Sequence, residues 1–266
     1  MPAETIVTRF VRLFENHGVH RNQIPRFFGH GLTLKDVQDD ASLLAKLDEP
    51  MLVAVCEMFA VRREWLDCAE LQVHPCHDFY KKPEEFIAFL IKLMNENFDA
   101  AIEGLVIAPE ELGDADALLI LQETIGFVGE KPIYRYHLCH NWGFTYWKAR
   151  AYLTACVAIA WKEKVYIHGV RLPKKEIERL AEGKTLLGWK GEGIWDFGCV
   201  TWHPEDMALQ PDAYLKDVDP EIDNFGIKSA LSLWLGLEQK GLMDTGLGAD
   251  FSVKARQSFQ KELEKY

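Results

Sequence analysis

The run Ala117-Leu118-Leu119-Ile120-Leu121-Gln122-Glu123-Thr124-Ile125-Gly126-Phe127-Val128, then Gly129-Glu130-Lys131-Pro132, then Ile133-Tyr134-Arg135-Tyr136-His137-Leu138-Cys139-His140, decides the fold class. Both apolar runs read as β, and the four residues between them as a hairpin-like turn. Working outward, Tyr146 to Lys162 is too long for an ordinary strand and rich in Ala, which predicts a buried helix. Lys164 to Leu172 alternates as a strand, with Val165, Ile167 and Val170 among polar partners. Pro83-Glu84-Glu85 opens a long helix reaching about Asn97, and Pro173-Lys174-Lys175-Glu176 opens another. Gly183 to Tyr214 is Gly/Trp/Pro-rich and irregular, and helices are expected from about Pro220 to Lys240 and at the charged end. Residues 73–266 therefore read as an α+β domain with a small sheet.

Residues 1–72 contain no good strand and read as a separate all-α domain of five helices. Ile6, Phe10, Leu13 and Phe14 form one face of the first helix, closed by His17-Gly18. A short second helix fits Arg21 to Phe28, with Pro25 in its first turns, and Gly29-His30-Gly31 is a turn. Thr33, three residues before Asp36, predicts the start of a third helix. Asp48-Glu49-Pro50 opens a fourth, carrying Val53, Cys56 and Phe59 inward, and Arg62 to Leu66 forms the last. Val73-His74-Pro75-Cys76-His77 marks the junction.

Charge and composition exclude several classes. Thirty Lys+Arg stand against 41 Asp+Glu, a net charge of −11, so a broad electrostatic grip on nucleic acid or an anionic membrane is excluded and only a local basic surface could bind either. Fifteen Phe and eight Trp supply a sizeable core. Arg9, Arg12 and Glu15 interrupt the first twenty residues, and Ala151 to Trp161 is about half a membrane span. Six cysteines in a chain of this length do not make a disulfide framework. A cytoplasmic location without membrane association is expected.

The segments Phe10-Val11-Arg12-Leu13-Phe14-Glu15-Asn16-His17-Gly18-Val19 and Leu52-Val53-Ala54-Val55-Cys56-Glu57-Met58-Phe59-Ala60-Val61-Arg62-Arg63-Glu64-Trp65-Leu66 resemble the first helix and turn, and the fourth and fifth helices, of the lambda-repressor-like (XRE-type) helix-turn-helix family. The resemblance covers about a quarter of the chain. It implies a five-helix fold, a homodimer on double-stranded DNA, and a third helix in the major groove. On this chain that implies Arg21, Asn22, Gln23 and Arg26 on helix two, and Thr33, Lys35 and Gln38 on helix three, as the DNA-binding residues. Arg and Lys suit phosphates, while Asn and Gln suit adenine edges. The family's small-residue and glutamate pattern around helix three is absent, and Asp36, Asp39 and Asp40 crowd that helix.

Two further patterns fall in residues 73–266. His74-Pro75-Cys76-His77 and His137-Leu138-Cys139-His140 share the spacing H-x-C-H, whose thiolates and imidazoles could hold zinc or iron if the segments met. That spacing is not an established ligand motif, an ordinary structural role is the preferred reading, and no cofactor is expected. Tyr134, Tyr136, Trp142 and Tyr146 belong to an aromatic cluster that reads as core first and as the wall of a ligand pocket second. G-x-S-x-G, G-x-x-x-x-G-K-[ST] and H-E-x-x-H are absent, so an enzyme is not expected. A Cys–His hydrolase built on Cys139 or Cys199 has no spacing in its favour. The expectation is a DNA-binding transcriptional regulator with a C-terminal domain that dimerises or senses a small-molecule effector. The alternatives are a protein-interaction module without DNA binding, and an enzyme seated in the second domain.

Overall fold

The computed structural model describes residues 4–96, 101–111, 116–188, 191–198 and 200–266. It is an α+β protein. Two compact units are present: residues 1–76, 121–138 and 179–197 form the first, and 77–120, 139–178 and 198–266 the second. The expected division into 1–72 and 73–266 has one chain crossing, whereas these units exchange chain at five places. The reason lies in the core of the first unit, where Ile133, Ile125, Val128 and Leu186 pack with the helical residues.

In the first unit, α1 (Ile6–Asn16) starts at Thr5, whose hydroxyl accepts from the Thr8 amide while Thr8 answers in a capping box. Its apolar face, Phe10, Leu13 and Phe14, is fully buried, and Gly18 closes it at φ 83°. A 3-10 turn (Arg21–Gln23) leads into α2 (Ile24–Phe28). Gly29, His30 and Gly31 then all take positive φ, so the chain cannot continue as a helix there. Next come α3 (Asp40–Lys46), α4 (Glu49–Phe59) and α5 (Arg63–Leu66). Asp48 caps α4 through the Met51 amide at 2.9 Å. Cys56 and Phe59 point inward as expected, but Val53 does not: it is 42% exposed, and Val55 takes the core position.

The sheet has five strands in the order β1-β4-β3-β2-β5. They are β1 (Cys76–His77), β2 (Ile102–Pro109), β3 (Asp116–Val128), β4 (Lys131–Gly143) and β5 (Tyr166–Leu172). The turn between β3 and β4 is tighter than the four residues expected: Gly129-Glu130 alone makes it, with Gly129 at φ 66°. β2 runs parallel to β5, from Glu103 opposite Tyr166 to Pro109 opposite Leu172.

The second unit packs helices with β2 and β5. α6 (Pro83–Glu96) and α7 (Trp147–Lys162) lie together, and α8 (Lys174–Ala181) follows β5. Beyond them are α9 (Asp206–Leu209), α10 (Pro211–Leu215), α11 (Phe225–Gln239) and α12 (Ala249–Leu263). Trp234 of α11 stacks on Phe259 of α12, centroids 3.6 Å apart. Among the described residues no helix is long and apolar enough to cross a membrane.

Candidate functional site

The residues expected to meet DNA all lie in the first unit, where the third helix does not form as expected. Asp36 accepts both the Thr33 amide (2.8 Å) and the Thr33 hydroxyl (2.6 Å), which closes a turn. A capping box would instead have the threonine oxygen accept from the amide three residues on. Asp39 takes that role, accepting the Ser42 amide at 2.7 Å, so α3 begins seven residues later at Asp40. Those hydrogen bonds, from Thr33 and from Ser42 respectively, hold Asp36 and Asp39 below the usual carboxylate range. Thr33, Lys35 and Gln38 are exposed on this turn segment and not on a helix.

The basic residues are largely engaged. Arg21 Nε donates to the Val37 carbonyl at 2.6 Å, and its guanidinium pairs with Asp40 at 2.8 Å, leaving the side chain 23% exposed. Arg9, Arg12, Arg62 and Arg63 also pair with carboxylates of their own unit. Among the described residues Arg26, Lys35 and Lys46 have no such partner. Asn22 is exposed, and Gln23 Oε1 accepts the His20 amide at 2.9 Å.

Gln23, Arg26 and Phe27 instead line a cleft of about 220 Å³ with Met58, Ile125 and Phe127. Helix and strand are close here because residue 126 is glycine. A Cβ on Gly126 would sit 3.0 Å from Phe27 Cε2. Among the described residues no acidic side chain lines the cleft, and Phe127 is 63% exposed at its edge.

A buried polar network lies in the same unit. Glu123 is 0% exposed and receives Arg135 through Nε at 2.5 Å and Nη2 at 2.8 Å. Arg135 Nη1 also donates to the Glu57 carbonyl at 3.1 Å, tying the hairpin to α4. His137 Nε2 lies 3.3 Å from the same carboxylate. Burial pushes the Glu123 carboxyl up, but hydrogen bonds from His137 and Arg135 outweigh it, and the group is held below its usual range. His17 and His74 are completely buried, and burial pulls them down to about 4 and about 3. Both imidazoles are therefore neutral at pH 7, and their backbone partners set the tautomers. His17 Nδ1 donates to the Leu13 carbonyl at 2.6 Å, so Nε2 carries the lone pair. His74 Nε2 accepts the Leu187 amide at 3.2 Å, so Nδ1 carries the hydrogen.

That tautomer, with a hydrogen on Nδ1, makes His74 a poor metal ligand at that nitrogen. The other members of the two H-x-C-H pairs are dispersed. Cys76 is half-buried, its Sγ donating to the Ala181 carbonyl at 3.6 Å, and His137 serves Glu123. His77, Cys139 and His140 belong to the second unit, where His77 packs on Phe89 and Cys139 is buried. Among the described residues no group of three or more His, Cys, Asp or Glu side chains is arranged to hold a metal ion. Cys199 lies outside the described residues.

The four aromatic residues expected to wall a pocket do not share one unit. Tyr134 and Tyr136 belong to the first, where Tyr136 is buried and its phenol pushed up by that burial. Trp142 is core of the second unit, its indole donating to the Cys139 carbonyl at 3.0 Å, and Tyr146 is 41% exposed ahead of α7. Sequence reading missed Arg150, fully buried in α7. It donates to the carbonyls of Phe144, Tyr214 and Lys216 and stands 3.7 Å over the Phe144 ring. Burial pulls it down to about 10, and its carbonyl partners make it a structural clip. A lone Arg inside an Ala-rich run was the available signal. Glu123, inside an apolar β run, gave the same kind of signal. In comparisons with known proteins, no family model, curated protein or solved structure matches the chain.

Proposed function

We propose that this chain is a binding protein whose N-terminal helical bundle serves as an interaction module and does not read duplex DNA. One observation carries the reading: the segment Thr33–Asp39 is a hydrogen-bonded turn tied down by Arg21, with no helix available there to enter a major groove. Neutralised arginines support it, since a cation already paired with a carboxylate adds little to a phosphate contact. The involvement of the β-hairpin supports it too, because Ile125, Val128 and Ile133 make the bundle part of a larger core. Titration of the full chain on a pool of genomic fragments at low and moderate salt tests this reading. Weak, sequence-indifferent binding with a shallow salt dependence is expected.

The second reading is the homodimeric DNA-binding regulator. It is favoured by the order of the helices and by Arg26, Lys35 and Lys46, for which no salt bridge is formed among the described residues, although the two lysines act at longer range on Asp36. Sequence-selective recovery that depends on Lys35 and Gln38 would establish it in place of the first.

A further inference from the structure

We propose that the cleft between α2 and the end of β3 binds a small organic monocarboxylate with a compact apolar body, held at Arg26. The proposal rests on the reading that this face does not take DNA, and it names the ligand class that the face takes instead.

Three features of the cleft converge on that chemistry. First, Arg26 has no carboxylate partner among the described residues, although the chain carries 41 Asp and Glu and most arginines of this unit are paired. Its planar fork matches a carboxylate bidentately. Second, Gln23 Oε1 is already taken by the His20 amide, which leaves the carboxamide NH2 as the donor end of that side chain. With no acidic residue among the described lining residues, the polar side of the cleft offers donors and positive charge. Third, the remaining side chains, Phe27, Met58, Ile125 and Phe127, form an apolar wall suited to a ring or a short branched chain.

Size narrows the ligand. About 220 Å³ is below the usual range for ligand and cofactor pockets, so a compact ligand fills the cleft and a nucleotide would extend out of it into solvent. A bare inorganic anion would leave the apolar wall uncovered. A small aryl or branched-chain acid uses both sides. The acidic chain gives no long-range attraction for such an anion, so recognition depends on Arg26 at short range.

The test is calorimetric titration of the full chain with phenylacetate, with benzyl alcohol and inorganic phosphate as controls. Saturable binding of phenylacetate is expected, with benzyl alcohol and phosphate each much weaker. The exposed position of Arg26 makes Arg26→Gln compatible with folding, and it is expected to weaken phenylacetate about tenfold to a hundredfold, the worth of a charge-assisted hydrogen bond. Gly126→Ala, which pushes a methyl toward Phe27, is expected to weaken it as well. Absence of saturable binding, equal binding by Arg26→Gln, or phosphate binding as tight as phenylacetate would overturn the site. A duplex DNA titration run beside it separates the two failures. If neither phenylacetate nor a selected duplex binds, the cleft assignment falls and the interaction-module reading stands. If a selected duplex binds and displaces phenylacetate, the interaction-module reading falls and the anion site stands.

Discussion

Arg21 reaches Val37, sixteen residues along the chain, and donates through Nε to its carbonyl at 2.6 Å. The same guanidinium pairs with Asp40 at the start of α3. One arginine thus fastens the turn between α2 and α3. Arg21→Ala should destabilise the protein by about 1–3 kcal/mol, since it removes a charge-assisted bond and leaves a carbonyl without its donor. Lys35→Ala, on the exposed surface of the same turn, should change stability by less than about 0.5 kcal/mol. Urea unfolding of the two variants side by side checks the contrast.

Glu123→Gln should cost about 3 kcal/mol or more, because Arg135 would keep its charge without the carboxylate that compensates it. The loss should appear as a lower denaturation midpoint with an unchanged slope. A cost below about 1 kcal/mol would mean that the carboxylate is not the organising group of the hairpin.

Acidification should weaken the fold through two buried imidazoles. His17 and His74 are held at about 4 and about 3 in the folded state, against an ordinary 6.5. The unfolded chain therefore binds more protons as pH falls below about 6.5, and stability declines by about 1.4 kcal/mol per pH unit for each imidazole until the folded value is reached. Glu123, held below 4.5, loses its stabilising contribution only at lower pH, whereas Glu205, pushed up by burial, gains stability on protonation and opposes the trend, so the histidine share is read from the variant. Unfolding free energies across that interval should rise with pH, and His74→Gln should flatten the slope. A flat profile in the unsubstituted protein would contradict the neutral, buried imidazoles.

Much of the fold is legible because local signals agree with tertiary packing. In α1 the apolar period, the threonine at the start and Gly18 at the end all point to one helix, and it runs Ile6–Asn16. α7 is legible from its length and Ala content, and β3, β4 and β5 from their apolar patterning. β2 escapes sequence reading because a strand buried along nearly its whole length has no alternation, and Gly104 and Pro109 disguise it further. The third helix fails for a different reason. Thr33–Asp36 and Asp39–Ser42 are both plausible starts, and the choice is made by the contact of Arg21 with Val37 and Asp40, which no local window contains. The candidate site was hidden in the same way. Gln23, at the cap of α2, and Arg26, on it, are visible as polar groups, but their neighbours Ile125 and Phe127 lie about a hundred residues away along the chain.

Binding of the full chain to a pool of genomic fragments, at low and at moderate salt, with Lys35→Ala and Gln38→Ala variants in parallel, decides between an interaction module and a reader of duplex DNA. An interaction module without a reading helix predicts no sequence-selective recovery at either salt and no difference among the three proteins beyond a small loss for the removed charge. Selective recovery of a defined sequence at moderate salt, abolished or relaxed by either substitution, would contradict it.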